Sequence, residues 1–194
     1  EQFFDGNDEN PYETRHYYYN EKQQMDHCDI DYLEDKVSEK YSYTPEGNLQ
    51  HKTVYYEDGS FYVDTECLWE NGKLIEEKNY SDTGELQSRH EYSYNQDGKL
   101  CKIVLYESDM DIVNKTTETY TYGQYGVEVQ ETYNISDQLV VRRSFAYDEL
   151  GRRTSATIES ASSFFRHVYG YDSENRCILD RMLNKDEVVL NEKQ

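Results

Sequence analysis

Short runs of alternating side chains recur along this chain, each closed by an aromatic residue and a polar turn. In residues 89–94, His90, Tyr92 and Tyr94 share one parity, and Arg89, Glu91 and Ser93 the other. In 37–43, Val37, Tyr41 and Tyr43 alternate with Ser38, Lys40 and Ser42. In 143–147, Arg143, Phe145 and Tyr147 alternate with Ser144 and Ala146. In 163–171, Phe165, His167, Tyr169 and Tyr171 oppose Phe164, Arg166 and Val168. A period of two with one apolar and one polar face predicts an antiparallel sheet with one wet side. No segment carries a long helical period; residues 21–36 have room for a helical turn or two.

Between the runs one unit repeats: an aromatic residue, two or three polar residues, a glycine, then a polar residue and often Leu. Copies begin at Tyr43, Tyr56, Trp69, Tyr80, Tyr94, Tyr122 and Tyr147, with glycines at Gly47, Gly59, Gly72, Gly84, Gly98, Gly126 and Gly151. A last copy, Tyr171–Cys177, puts Asn175 where the glycine stands elsewhere. Hairpin loops of three to five residues commonly end on one left-handed residue, a conformation that glycine adopts freely and asparagine tolerates. The first five glycines are 12, 13, 12 and 14 residues apart. Later marked turns fall at about twice that interval, with degenerate turns at Ser108–Asp111, Ile135–Gln138 and Glu159–Ser163 between them. Turn signals at this spacing predict an all-β, repeat-built antiparallel meander of roughly 13–15 short strands. So many strands should make the sheet strongly twisted, curled or folded over on itself, since open twisted sheets rarely exceed ~10 strands. The organisation expected is an acidic, mobile lead-in over 1–11, a single β-repeat domain over 12–190 and a polar tail over 191–194.

Composition sharpens this picture. Aliphatic residues are scarce, but 21 tyrosines and Trp69 supply a core rich in hydroxyls. The net charge is −20, which repels phosphate backbones and anionic lipid, so nucleic acid is not an expected partner. No apolar run is long enough for a membrane-spanning helix, and membrane insertion is not expected. The four cysteines, Cys28, Cys67, Cys101 and Cys177, form no C-x-x-C pair. They serve as core thiols or as disulfides, of which four cysteines allow three pairings. The chain begins at Glu1 without Met or an apolar leader, as it would after signal removal, so a secreted, periplasmic or cell-surface location is expected.

Tyr147-Asp148-Glu149-Leu150-Gly151-Arg152, followed by Thr154 and Ile158, resembles the YD repeat of RHS-type proteins. Tyr171-Asp172 through Arg176 is a second copy, and Tyr94-Asn95 through Leu100 a third with Asn for Asp. Residues 56–74 resemble the shorter repeats of MORN-like and antitoxin-type proteins. YD-repeat proteins form large curled β-meander shells around cargo, and this chain is far too short to enclose a cargo domain. What the resemblance implies is a small repeat-built β-sheet protein from a bacterial envelope or secretion setting.

Catalytic motifs are absent from the sequence. His16, His27, His51, His90 and His167 show no metal-ligand spacing, and there is neither a nucleophile elbow nor a phosphate loop. Asp5–Glu9 opens like a calcium loop but has Asn10 and His16 where that loop needs Gly and Glu. No catalytic, cofactor-binding or metal-binding residue is assigned, and no cofactor is expected. Trp69, Tyr55, Tyr56, Tyr92 and Tyr94 are the candidate contacts, since Tyr and Trp pair a packing ring with a wet polar tip. The reading is a non-enzymatic interaction module with a protein partner, basic by charge complementarity. A carbohydrate-binding module using exposed rings and an immunity or antitoxin-type protein are the alternatives; a hydrolase ranks below them.

Overall fold

The computed structural model describes residues 1–4, 11–32, 35–109 and 112–193, with the side chains of 109, 112 and 113 excepted. The described residues form sixteen strands and no helix: β1 (Gln2–Phe3), β2 (Glu13–Tyr19), β3 (Met25–Tyr32), β4 (Asp35–Tyr43), β5 (Leu49–Tyr56), β6 (Phe61–Glu70), β7 (Lys73–Tyr80), β8 (Leu86–Tyr94), β9 (Leu100–Asp109), β10 (Ile112–Tyr122), β11 (Val127–Tyr133), β12 (Leu139–Tyr147), β13 (Arg153–Ser160), β14 (Phe164–Tyr171), β15 (Cys177–Leu183) and β16 (Val189–Lys193). They pair in sequence order in one open antiparallel meander. Among the described residues of 21–36 no helical turn forms. Those residues complete a hairpin turn, run through β3 and enter β4, because Cys28 and Ile30 alternate with Asp29 and Asp31 at a strand's period. The strands exceed the expected range: β1 lies in the expected lead-in, and the turns at Gln23 (φ 60°) and Glu187 (φ 59°) carry no glycine or asparagine at their left-handed position.

Most of the hairpins share one turn. The N–H of its first residue donates to the carbonyl of the fifth, and the N–H of the fourth donates back to the first. Thr44 N donates to Asn48 O at 2.8 Å, for example, and Gly47 N to Thr44 O at 2.9 Å. The fourth residue is left-handed: Gly47, Gly59, Gly84, Gly98 and Gly151 have φ between 77° and 93°, and Asn175 has 64°. Gly72 (φ 74°) follows Asn71 (φ 51°) in a two-residue turn, and Gly126 ends a turn begun at Gly123. The first residue is usually an Asx, whose side-chain oxygen accepts the N–H groups two and four residues on. Asn20, Asn95, Asn134, Asp148, Asp172 and Asn184 all do this. A small polar side chain that mimics a backbone acceptor is what such a turn needs. The proposed turn over Ser108–Asp111 lies in part outside the described residues.

The aromatic residue before the turn follows a shift in strand register, as at Ser42/Tyr43, Leu68/Trp69, Ala146/Tyr147 and Gly170/Tyr171. At the ends of five even-numbered strands its polar tip reaches back to the first residue of the preceding strand. Tyr43 Oη donates to Met25 O (2.9 Å), Trp69 Nε1 to Leu49 O (2.7 Å), Tyr122 Oη to Leu100 O (2.8 Å), Tyr147 Oη to Val127 O (2.9 Å) and Tyr171 Oη to Arg153 O (2.8 Å). Each ring thus staples one hairpin to the previous one. Tyr19 ends β2, whose preceding strand β1 pairs only with Glu13 and Thr14 at the opposite end of β2, and Tyr19 is 58% exposed.

The chain divides into two compact units, Glu1–Glu91 with Tyr106–Val113, and Tyr92–Leu105 with Asn114–Gln194. In the first, Tyr17, Cys28, Glu39, Val54 and Val63 form one cross-strand row, and Cys28 (fully buried), Ile30, Val54 and Cys67 lie on that face. The row contains a carboxylate, held by Lys52 Nζ at 2.6 Å and by the Tyr41 hydroxyl at 2.5 Å. In the second unit the buried residues are Val104, Thr117, Ala156 and Leu183, and Phe145, Ala156, His167 and Met182 make a comparable row. The predicted alternation of dry and wet faces is blurred: every residue of β7 is half-buried. Tyrosine and paired charges fill positions that aliphatic residues would take in a richer core.

Candidate functional site

Two tyrosines of the first unit break the pattern that the other hairpins obey. Tyr56 occupies the first position of the β5–β6 turn: its N–H donates to Ser60 O, and Gly59 N donates to its carbonyl, both at 2.9 Å. Asn, Asp, Ser or Thr holds that position in the equivalent turns, and a tyrosine ring cannot cap the loop. Asp58 substitutes, its Oδ1 accepting Ser60 N at 2.8 Å and Ser60 Oγ at 2.5 Å. Those hydrogen bonds from Ser60 hold the Asp58 carboxyl below its usual range and keep it ionised. Tyr62 is the second exception. The register passes from Val54 opposite Val63 to Tyr55 opposite Phe61, leaving Tyr62 as the extra residue of a bulge. The same place holds Gln50, Gln87, Val140, Ile178 or Leu190 in other hairpins. Bulges re-aim side chains, and here one aims a ring.

The two exceptions touch. The Tyr56 and Tyr62 rings lie 4.9 Å apart, inclined at 43°, and are 46% and 49% exposed. They line a groove of about 740 Å³ with Tyr32, Val37, Lys36, Asp35, Glu57, Asp58 and Ser60. Lys36 is drawn to Asp31, Nζ to Oδ1 3.6 Å, so the groove's other charges are the carboxylates. The Tyr32 hydroxyl bonds to the buried carboxylate of Glu13, and burial and that carboxylate push its pKa up. Glu13 itself is held below its usual range by Arg15, which outweighs its burial.

The other sequence-derived candidates occupy different positions. Trp69 is half-buried and its indole N–H is one of the staples. Tyr55, rather than Tyr56, is the repeat aromatic: it stands four residues before Gly59, as Tyr43, Tyr80, Tyr94, Tyr122, Tyr147 and Tyr171 stand before their turn residues. Its ring meets Phe61 edge-on at 6.4 Å and carries Lys40 Nζ 4.8 Å above it. Tyr92 and Tyr94 belong to the second unit and are half-buried. Only Tyr56 among the candidates joins the groove; Tyr32 and Tyr62 were not singled out by sequence. Counting back from Gly59 in the common turn frame would have exposed the anomaly at Tyr56.

Every histidine sits near a carboxylate: His16–Asp31 (3.9 Å), His27–Asp26 (2.8 Å), His51–Asp64 (3.5 Å), His90–Glu77 (3.5 Å) and His167–Asp180 (2.8 Å). Among the described residues no three His, Cys, Asp or Glu side chains are grouped to hold a metal ion. The calcium-like stretch Asp5–Glu9 lies outside the described residues. All four cysteines are free thiols, Cys28 and Cys67 buried and Cys177 exposed. No described helix is long and apolar enough to cross a membrane.

No protein-family profile matches the chain, and no curated protein matches it. Solved structures do. The TcdB2-TccC3 crystal structure aligns with 91% of this chain and 13% of its own, at 11% identity and a TM-score of 0.44. The Photorhabdus luminescens Tc holotoxin pore aligns with 91% of this chain and 12% of its own, at 11% identity and a TM-score of 0.42. A porin-like protein from Bacteroides uniformis aligns over 86% of this chain and 85% of its own, at 10% identity and a TM-score of 0.37. The chain therefore spans only 12–13% of the Tc toxin chains it matches.

Proposed function

We propose that this chain is a non-enzymatic interaction module, secreted or envelope-associated, that presents the Tyr32–Tyr56–Tyr62 groove to a protein partner. One observation carries the reading. The repeat's staple aromatics commit their polar tips to backbone carbonyls, whereas Tyr56 and Tyr62 depart from the repeat, stay exposed and meet each other. Residues that violate a local rule mark the places where function has overridden foldability. The carboxylates around the groove and the charge of −20 favour a basic partner and speed its approach. A second reading, an immunity or antitoxin-type protein in a reducing compartment, is favoured by the four unpaired thiols, since disulfides accumulate where conditions are oxidising.

The test is capture by the immobilised protein from an envelope extract and, separately, from a cytosolic extract, each eluted with a salt gradient. One stoichiometric protein from the envelope extract, released by moderate salt, is the expected result. The same outcome only in the cytosolic extract transfers the assignment to the second reading. Polysaccharide retained through high salt, with no protein, replaces both with a carbohydrate-binding module.

A further inference from the structure

We infer that Tyr56 and Tyr62 form two walls of an aromatic half-cage that takes the guanidinium or ammonium group of an extended basic segment. The inference rests on the interaction-module reading and names the chemistry that its groove recognises. Ring geometry is the first ground. A flat sugar ring stacks best on one open aromatic face or on coplanar faces. Here the two rings touch at an incline of 43°, centroids 4.9 Å apart, so they offer no flat coplanar platform, and both line the same groove. Exposed π faces attract a cation within about 6 Å through their quadrupoles, as in the cages that hold ammonium groups. Charge is the second ground. Asp35, Glu57 and Asp58 line the same groove, and its one cation among the described residues, Lys36, already leans on Asp31. A cation entering the groove against the rings meets carboxylates rather than a competing lysine.

Size is the third ground. The groove, about 740 Å³, exceeds the volume of one guanidinium group, so the chain carrying the cation has room to lie along it. Position is the fourth. Neither ring is needed where it stands for the fold, because the turn is capped by Asp58 and the bulge tolerates Gln, Val, Ile or Leu elsewhere in the chain. Arg has the better match of the two cations. Its planar guanidinium stacks on a ring and still offers N–H groups to Asp35 or Glu57.

The experiment titrates the full chain with a short arginine-containing peptide and with the same peptide carrying citrulline, following Tyr ring-proton shifts. Citrulline keeps the shape and removes the charge. The arginine peptide is expected to shift the Tyr56 and Tyr62 ring protons saturably, and the citrulline peptide to bind at least about 10-fold more weakly. Tyr56→Leu with Tyr62→Leu, which leaves the net charge unchanged, is expected to lower arginine-peptide affinity by a similar factor. Tyr56→Phe with Tyr62→Phe should retain it, because the ring face and not the hydroxyl carries the contact. Equal response to both peptides on the wild-type chain overturns the half-cage even if a variant fails to fold. So does saturable perturbation of both rings by a neutral oligosaccharide with none by the arginine peptide. If extract capture succeeds but is indifferent to the double Leu substitution, the half-cage fails and the interaction module stands. If the peptide shifts the rings but no protein is captured, the module reading fails and the half-cage stands.

Discussion

Asp148 shows how much a single side chain does in this fold. Its Oδ1 accepts the N–H groups of Leu150 and Arg152 at 3.0 and 2.9 Å, and its Oδ2 takes Arg152 Nε at 2.7 Å. Asp172 repeats the arrangement with Glu174 and Arg176. The Asp and the Arg of the YD-like motif are therefore one turn-closing device, and Asn95, Asn134 and Asn184 perform the backbone part of it without the ion pair. Partial burial raises the Asp148 carboxyl pKa, but hydrogen bonds from Arg152 outweigh it, so the net shift is downward. The Arg176 guanidinium does most to depress Asp172. Groups titrating lower in the folded chain stabilise it above the ordinary carboxylate range, about pH 4, and that stabilisation is lost as pH falls through their depressed values. Asp148→Ala should lower Tm by roughly 2–4 °C at pH 7, and Asp148→Asn by less. The difference between wild type and Asp148→Asn should shrink below about pH 4; a gap that persists there would show that the ion pair is not its source.

At the scale of elements, the working repeat is two strands rather than one. Glycines mark every hairpin from β4–β5 to β8–β9, but the staple aromatics occur once per strand pair, at Tyr43, Trp69, Tyr122, Tyr147 and Tyr171. Trp69 belongs to that series because an indole N–H can donate where a phenol does elsewhere. Trp69→Phe removes the donor and leaves the Leu49 carbonyl without it, at a cost of about 1–2 kcal/mol measured by denaturant unfolding. Trp69→Tyr should recover part of that loss, since tyrosine fills the equivalent place in the neighbouring repeats. Equal destabilisation by Phe and Tyr would mean that lost ring volume matters and the staple does not. The period-2 pattern made the strands legible; the staples were not, because they join residues about 20 apart in sequence, as Trp69 and Leu49 are.

Over the whole molecule, few side chains are fully removed from water, and two of the deepest are thiols. Burial pushes the Cys67 thiol up to about 11, with Glu77 and Glu66 adding to the effect. Burial also raises Cys28, with Glu39 nearby. Cys177 is exposed. The thiolate is the reactive form, so a native-state alkylating reagent at pH 8 should modify Cys177 first and leave Cys28 and Cys67 untouched until denaturant is added. Mass-resolved labelling checks the order; early modification of Cys67 would show that β6 opens locally far more easily than its burial implies.

Sequence alone determined the all-β class, the antiparallel meander and the turn positions of Gly47, Gly59, Gly72, Gly84, Gly98, Gly126, Gly151 and Asn175. These properties are local: a left-handed turn residue and an alternating strand are written within ten consecutive positions. It did not reveal the turns at Gln23 and Glu187, where strained non-glycine residues are held by the flanking ladder and by Asn20 and Asn184. Nor could it separate the structural aromatics from the exposed ones. Trp69 and Tyr56 look equivalent as residues, and their fates differ by register. A backbone carbonyl lies within reach of one, while a bulge and a turn leave the other facing Tyr62 and solvent. Pairing across strands decides which ring finds a partner, and that pairing exists only once the sheet has formed.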